Sequence, residues 1–131
     1  MKFDFYQKPR YEVVGYGIYK DVKWAIVSIR GSHPCAYIQD MFDWGKYDNF
    51  DDIPLRVHGG VTFYDNCYFN KEEENVKYIG WDYAHCDDFI AYPEMPSLED
   101  LNCKKWTYDE VKQDVYNAID QMLKEIENNE R

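Results

Sequence analysis

The stretch "YEVVGYGIYKDVKWAIVSIR", residues 11 to 30, contains two runs of β-branched and aromatic residues on either side of a polar pair. Such runs favour strands, and the pair Lys20-Asp21 between them predicts a hairpin turn. The second run, 22 to 30, is apolar at consecutive positions, so both of its faces need cover. It predicts a central strand, and a sheet built around that strand decides the fold class.

The rest of the chain supplies further strands. "LRVHGGVTFY" (55 to 64) predicts a strand, a glycine break and a second strand, and "VKYIGWDYA" (76 to 84) predicts another, with an excursion over 65 to 75 between them. "GSHP" (31 to 34) ends the central strand with glycine and proline. The stretch from 40 to 54 is acidic and aromatic without a clean period, which indicates an ordered loop or a short helical turn.

The C-terminal segment predicts a helix. Thr107 and Glu110 form the capping-box pattern T-x-x-E, and the apolar residues after them recur at spacings of three and four. The apolar stripe consists of Val111, Val115, Ala118, Ile119, Met122, Leu123 and Ile126. We expect the helix to fray near 127 to 131. The prediction is a single α+β domain over 1 to 131, with a mostly antiparallel sheet of four to five strands and this amphipathic helix packed on it.

Composition limits the classes of function. At 131 residues, with 45% hydrophobic and 18% aromatic residues, the chain is long enough to bury about two thirds of its unfolded surface. The 25 acidic and 15 basic residues give a net charge of −10, which repels phosphate backbones and argues against direct nucleic-acid binding. The acidity either keeps a tyrosine-rich domain in solution or suits a basic protein partner.

The chain has neither an apolar signal region near its N-terminus nor the ~18 consecutive apolar residues that a transmembrane helix needs. We therefore expect a cytoplasmic protein without a membrane partner. No two of the four cysteines have C-x-x-C spacing, so we predict free thiols rather than a zinc ribbon or a redox pair. They are Cys35, Cys67, Cys86 and Cys103.

A glycine pair follows one of only three histidines in the motif "VHGGVTFY" (57 to 64). Gly59 and Gly60 release the backbone after His58 from the usual steric limits, either for a bulge with positive φ or for close approach of a ligand to main-chain N–H groups. Thr62 offers a hydroxyl from the strand that follows. The motif predicts a polar site in which Gly59, Gly60 and Thr62 bind a ligand.

A second motif, "YIGWDYAHCDDF" (78 to 89), places acids and a histidine where a predicted strand leaves the sheet. Asp82 lies near the end of the strand, and His85 and Asp88 follow in the connection, which is a common location for functional residues on a rigid scaffold. We expect the ends of the two motif strands to converge.

Histidine moves protons near neutral pH, and a neighbouring carboxylate fixes its tautomer and raises its basicity. The catalytic candidates are accordingly His58, His85 and Asp82. Two histidines with one acid also suit zinc, manganese or iron, although the spacing matches no standard metal motif, so the cofactor is left open. The structural alternative is that both histidines bond buried backbone at strand ends while Asp82 caps a turn.

Other residues are weaker candidates. His33 is typical of a turn before proline, although it also ends a strand and so can face the same ligand site. Cys86 beside His85 is more typical of a structural thiol than of a nucleophile. Three aromatic residues of the acidic loop either pack on the core, which we favour, or stack on a base: Trp44, Tyr47 and Phe50. The common nucleotide-binding and hydrolase motifs do not occur.

The order "GSHP", "VHGGVTFY", "YIGWDYAHCDDF" and a closing helix resembles a family of small uncharacterised proteins of bacteriophages and prophages. Its pattern is approximately G-H-P, then H-G-G-[LV]-T-[YF], then G-[FW]-D-x-A-H-x-x-D, and the match covers 31 to about 90. The matching positions are His33, His58, Gly59, Gly60, Thr62, Asp82, His85 and Asp88. Tyr83 stands where the family often has cysteine, and Asp87 stands where it often has glycine.

The resemblance implies a phage-type accessory protein of the bacterial cytoplasm that counters host defence. Two hypotheses follow. In the first, the His/Asp/Gly site binds a nucleotide-like small molecule, and whether it also hydrolyses that molecule is left open. In the second, an acidic face acts in the manner of an anti-CRISPR protein and covers the basic groove of a host nucleic-acid-binding defence protein. That face is either the C-terminal helix or the acidic loop, whose carboxylates are Asp40, Asp43, Asp48, Asp51 and Asp52.

Overall fold

The computed structural model describes residues 5–6, 11–66 and 76–129. Its regular elements are β1 Glu12–Tyr19, β2 Val22–Ile29, β3 His33–Gln39, β4 Phe63–Asn66, β5 Lys77–Asp82 and α1 Tyr108–Asn129. The strands form one sheet in the order β1-β2-β3-β5-β4, and every neighbouring pair is antiparallel. The predicted α+β class is therefore confirmed. Within the described ranges, no helix has the length and apolar character that crossing a bilayer requires.

The predicted hairpin joins β1 and β2. Lys20 and Asp21 have φ angles of 49° and 66°, and Tyr19 pairs with Val22 across the turn. Two successive residues with positive φ match the right-handed twist of the flanking strands, which is why tight hairpins use this turn. The polar pair therefore marks the turn correctly.

Strand β2 is an internal strand with both faces covered, as its uninterrupted apolar run predicts. Trp24 and Ile26 belong to the main core cluster on the helix side of the sheet. Val27 belongs to a smaller cluster with Cys35 and Tyr37 on the opposite face. Because both faces are buried, the run carries no period-two alternation of apolar and polar residues.

The strand at the centre of the sheet, β3, was not predicted. The sequence predicts the end of β2 at "GSHP" correctly, since β2 ends at Ile29, but it assigns His33 to a turn, whereas His33 opens β3 and pairs with Ile29. Pro34 is the second residue of β3, where a missing N–H is tolerated, and its carbonyl accepts a hydrogen bond from the Tyr83 N–H at 3.1 Å. Because proline is uncommon inside a strand, the sequence shows the end of β2 but not the new strand that begins at His33.

The predicted strand before the glycine pair is also wrong, because residues 54 to 62 carry no ladder and only β4 follows. A side chain of the helix replaces the ladder there. The Gln121 amide accepts from the Arg56 N–H and donates to the Arg56 carbonyl, both at 2.8 Å. These bonds satisfy the backbone groups that a neighbouring strand would otherwise pair.

Helix α1 packs on β2 and β3. The predicted capping box is present, since the Glu110 N–H donates to Thr107 Oγ1 at 3.3 Å and the Thr107 N–H donates to Glu110 Oε1 at 3.1 Å. Five members of the predicted stripe are fully buried: Val111, Val115, Ala118, Ile119 and Met122. The predicted fraying falls partly on residues 130 and 131, which lie outside the described residues, as do residues 67–75 of the excursion.

Candidate functional site

The two histidine motifs meet at one edge of the sheet. Strand β4 begins beside the end of β5 because the two strands are antiparallel neighbours, so the turn before β4 and the turn after β5 lie together. Gly59 and Gly60 have φ angles of 71° and 85°, and the Gly60 N–H closes the first turn onto the Val57 carbonyl at 3.0 Å. The predicted glycine break is therefore a backbone requirement.

His58 forms a hydrogen-bonded pair with Asp88 inside this edge. Nε2 of His58 lies 2.7 and 2.9 Å from the two carboxylate oxygens of Asp88. The same carboxylate accepts from Trp106 Nε1 at 2.9 Å and from the His85 N–H at 3.0 Å. Burial alone raises the pKa of the Asp88 carboxyl, but these hydrogen bonds outweigh it and hold the pKa below its usual range. Asp88 is therefore ionised at neutral pH.

An ionised Asp88 fixes the tautomer of His58. A carboxylate can only accept hydrogen bonds, so Nε2 of His58 carries the proton and Nδ1 carries the lone pair. Nδ1 has no hydrogen-bond partner among the described residues. The imidazole stacks on Tyr83 at a centroid distance of 4.8 Å, and the Tyr83 hydroxyl donates to Asp114 at 2.6 Å. Asp88 thus holds the imidazole at its Nε2 edge and Tyr83 holds it at its face, while Nδ1 is the nitrogen with the free lone pair.

His58 borders a cleft between the glycine turn and α1. Its volume is about 360 Å³, and the side chain of His58 is 26% exposed beside it. The cleft offers a guanidinium, two amides, an indole and a carboxylate around the imidazole. Its lining residues are Arg56, Val57, His58, Trp106, Asp114, Asn117 and Gln121.

His85 and Asp82 form a second, looser pair. Nε2 of His85 lies 3.1 Å from Oδ1 of Asp82 without the alignment that a hydrogen bond needs, and this buried nitrogen has no other partner among the described residues. Asp82 accepts from the Ala84 N–H at 3.1 Å and from the Thr62 hydroxyl at 3.3 Å. Asp82 therefore caps a turn, as the structural alternative proposed, and also faces an imidazole.

Gly59 makes room for His85. A Cβ atom at position 59 would overlap the His85 imidazole, whereas a Cβ at Gly60 would meet no atom within 4 Å. The centroids of the His58 and His85 rings are 5.7 Å apart. The first glycine thus permits the close approach of a side chain, and the second leaves open space beside the backbone.

His33 lies at the neighbouring end of β3, with Nδ1 3.2 Å from Ser32 Oγ. Burial lowers the pKa of its imidazole, and the positive form of His85 adds to this effect, while the carboxylates of Asp82 and Asp88 oppose it. His33 is therefore neutral at pH 7, and it adjoins the two pairs without bonding to either.

The structure thus brings the eight predicted site positions to one edge of the sheet, although His33 bonds to neither pair and Gly60 shapes the turn without contacting another predicted residue's side chain. Three further residues of the site were not predicted: Trp106, Asp114 and Arg56. Trp106 and Asp114 come from the segment before α1 and from its first turns, and no local pattern links them to the histidine motifs. Among the residues that the structure describes, no three His, Cys, Asp or Glu side chains are arranged to hold a metal ion.

The cysteines lie outside this chemistry. Cys35, Cys86 and Cys103 are free thiols, and burial, with the nearby Asp82 carboxylate, raises the pKa of Cys35 to about 12. A protonated thiol is a poor nucleophile. Cys67 lies outside the described residues, so its predicted free thiol stays a prediction.

The residues at positions 87 and 83 have structural roles. Asp87 adopts a φ of 75°, so an aspartate holds a left-handed turn. Tyr83 is fully buried, and its hydroxyl accepts from Trp81 Nε1 at 3.1 Å. Position 83 thus supports the His58 ring and is closed to solvent.

The acidic loop is ordered and contains two 3-10 turns, Trp44–Lys46 and Phe50–Asp52, as its irregular pattern predicts. Trp44 is fully buried in the core. The Asp40 carboxylate accepts from the Phe42 and Trp44 N–H groups, both at 2.9 Å, and from the Tyr64 hydroxyl at 2.6 Å. It therefore stabilises the loop. The other four predicted carboxylates are exposed: Asp43, Asp48, Asp51 and Asp52.

Comparison of the chain with protein-family models, with curated proteins and with solved structures found no match. The geometry of the site is therefore the main basis for a function.

Proposed function

We propose that the edge of the sheet around His58 binds a nucleotide-like small molecule and that His58 acts on it as a general base. The observation that carries this proposal is the His58–Asp88 pair. A buried, ionised carboxylate fixes the tautomer of a partly exposed imidazole, and the second nitrogen of that imidazole has no partner among the described residues. This is the arrangement by which proteins prepare a histidine to accept a proton.

Hydrolysis is the reaction that such a base supports. Nδ1 of His58 takes a proton from a water molecule as the water oxygen attacks the phosphorus or carbonyl carbon of the ligand. The imidazolium that forms is stabilised by the Asp88 carboxylate. The bond to the leaving group then breaks, and the leaving oxygen receives the proton from His58, so the base is regenerated.

The remaining polar groups of the site bind and orient the ligand. Arg56 is exposed beside the His58 cleft and supplies a positive charge in a chain of net charge −10. Thr62 and the His85–Asp82 pair lie on the other side of the glycine turn. The N–H of Gly60 is bonded to the Val57 carbonyl, but the open space beside Gly60 lets a ligand approach the backbone of the turn closely.

We place this activity in the bacterial cytoplasm, in a bacteriophage accessory protein that counters host defence. Support for the context comes from the two-motif resemblance, since a nucleotide signal of the host is a small molecule of the class that the site suits. The context is tested by expressing the chain in bacteria that carry a nucleotide-signalling defence system and counting phage plaques. We expect the plaques to increase with the wild-type chain and not with His58→Gln.

The chemistry is tested with purified protein and a panel of nucleoside phosphates, cyclic nucleotides and cyclic dinucleotides, with products separated by chromatography. His58→Gln keeps an amide near Asp88 but removes the base, so we expect turnover to fall roughly 100-fold or more. His58→Ala and His85→Ala should also remove activity while the protein stays folded. If wild type converts no member of the panel and binds none, the proposed small-molecule function is wrong.

The four exposed carboxylates of the acidic loop support a second candidate function, the inhibitor of a basic host defence protein. Here Asp48→Lys combined with Asp51→Lys should weaken binding of the partner in a salt-dependent way, because exposed charges act at long range. The histidine variants should then stay fully active. That pairing of results would favour the inhibitor over the small-molecule site.

A further inference from the structure

A second cleft opens beside His33, away from the His58 cleft. It has a volume of about 480 Å³ and lies between the β2–β3 turn and the segment from 91 to 98. We call it the Arg30 cleft; the side chains that the following argument uses are Tyr11, Arg30, His33, Tyr92, Glu94 and Met95. The Ala91 N–H donates to the Ser32 carbonyl at 2.9 Å, which ties the two walls together at their base.

The exposed guanidinium of Arg30 gives the cleft a positive charge. Arg30 forms no ion pair or hydrogen bond with any side chain of the described ranges, although the chain carries ten more acidic than basic residues. It stands in the β2–β3 turn with a φ of 56°, followed by Gly31 at 70°. An arginine at positive φ is an uncommon choice where glycine or asparagine is preferred. Arg30 is exposed, and no carboxylate of the described ranges neutralises its guanidinium.

The walls of the cleft present aromatic and apolar surface to solvent. Tyr11 is 59% exposed, Tyr92 is 41% exposed and Met95 is 57% exposed. Tyrosine rings offer flat surfaces for stacking together with a polar tip, and methionine adapts to the shape of a ligand. Such a wall suits a planar ring better than an aliphatic or purely ionic ligand.

We propose that the Arg30 cleft binds a planar aromatic ligand that carries one negative charge, such as a nucleoside cyclic monophosphate. The ring lies against Tyr11, Tyr92 and Met95, and the anionic group pairs with Arg30. His33 also lines the cleft; because its Nδ1 lies 3.2 Å from Ser32 Oγ, its Nε2 is the nitrogen that can meet the polar edge of a base. This inference goes beyond the proposed function, because it assigns a second ligand site in a cleft that shares no lining residue with the His58 cleft.

The charges of the cleft select among nucleotides. Among the lining residues that the structure describes, Arg30 is the only cation, and Glu94 stands in the same lining. A triphosphate carries about four negative charges, which one guanidinium cannot offset against Glu94 and the acidic surface. A monoanion is neutralised by Arg30 alone. We therefore expect the cyclic monophosphate to bind more tightly than either the neutral nucleoside or the triphosphate.

Binding is measured by titration calorimetry on the whole chain with four 3′,5′-cyclic monophosphates, those of adenosine, guanosine, cytidine and uridine. The matching nucleosides and triphosphates complete each series. We expect at least one cyclic monophosphate to bind with a dissociation constant below about 1 mM. Arg30→Gln should weaken its binding tenfold or more, because a charge-assisted hydrogen bond is lost. Lys124→Gln, which removes one exposed positive charge from α1, is the matched control and should not weaken it.

Arg30→Gly separates binding from folding. Glycine accepts the positive φ at this position without strain, so this variant should be at least as stable as wild type and yet lose the cyclic monophosphate. The inference is overturned if none of the four ligands binds, if the triphosphate binds best, or if Arg30→Gln binds like Lys124→Gln. His58→Gln should still bind the ligand. If His58→Gln loses hydrolysis while Arg30→Gln and Arg30→Gly bind the cyclic monophosphate as tightly as wild type, this inference is wrong and the proposed function stands.

Discussion

Asp88→Asn tests whether the buried carboxylate organises the site. Oδ1 of Asp88 accepts from Trp106 Nε1, and Oδ2 accepts from the His85 N–H. Both partners can only donate, so either orientation of an asparagine amide points its NH₂ group at a donor. One hydrogen bond to a charged acceptor is lost and one buried N–H group is left unpaired. Each of these two effects costs about 1.5–3 kcal/mol.

Because the substitution also removes a buried charge, we expect a net loss of about 2–4 kcal/mol in the free energy of unfolding. The measurement is urea denaturation followed by tryptophan fluorescence. Asp87→Asn is the matched control, since it removes the same charge one residue earlier at an exposed position whose φ of 75° asparagine tolerates. The control should stay within about 0.5 kcal/mol of wild type.

The same variant should reverse the tautomer of His58. An asparagine NH₂ group can donate to Nε2 of His58, which moves the ring proton to Nδ1 and removes the proposed base. Nitrogen-15 NMR of the imidazole distinguishes the two tautomers. Equal stability of Asp88→Asn and Asp87→Asn, with an unchanged tautomer, would refute the structural role that we assign to the carboxylate.

Three further predictions concern the turns, the pH dependence and the thiols. Gly59→Ala and Gly60→Ala share the strain of positive φ, which costs about 1 kcal/mol. Only Gly59→Ala also displaces the His85 imidazole, so it should be the less stable of the two in thermal unfolding. It alone should shift the NMR signals of His85. Burial lowers the pKa of His33 in the folded state, so the unfolded chain binds more protons below about pH 6.5; stability should fall as the pH drops through this window, and less steeply in His33→Asn. All four cysteines should be alkylated after denaturation without reductant, and mass spectrometry that detects an intramolecular disulfide would contradict the free-thiol prediction.

The sequence alone determined the elements whose signals are local. The hairpin follows from two apolar runs around Lys20-Asp21, and the helix follows from the T-x-x-E box and its stripe. Each signal lies within one element and reflects the geometry of that element's own backbone. The histidine motifs could likewise be placed at strand ends, because glycine and acidic residues mark where a strand stops.

Only the tertiary structure decided how these elements meet. The central position of β3 follows from pairing with β2 on one side and β5 on the other, and β5 begins 38 positions after the end of β3. Proline at the second residue of β3 hides a strand that long-range pairing nevertheless stabilises.

The chemistry of the site has the same dependence on long-range contacts. From the sequence, Asp82 is the candidate carboxylate partner of the two histidines. In the folded chain, the carboxylate that bonds to His58 is that of Asp88. Trp106, which holds that carboxylate, arrives from the segment that precedes the helix. Whether an aspartate meets an imidazole at 2.7 Å or stays in solvent depends on the relative positions of separate elements, and these are set by packing of the whole core.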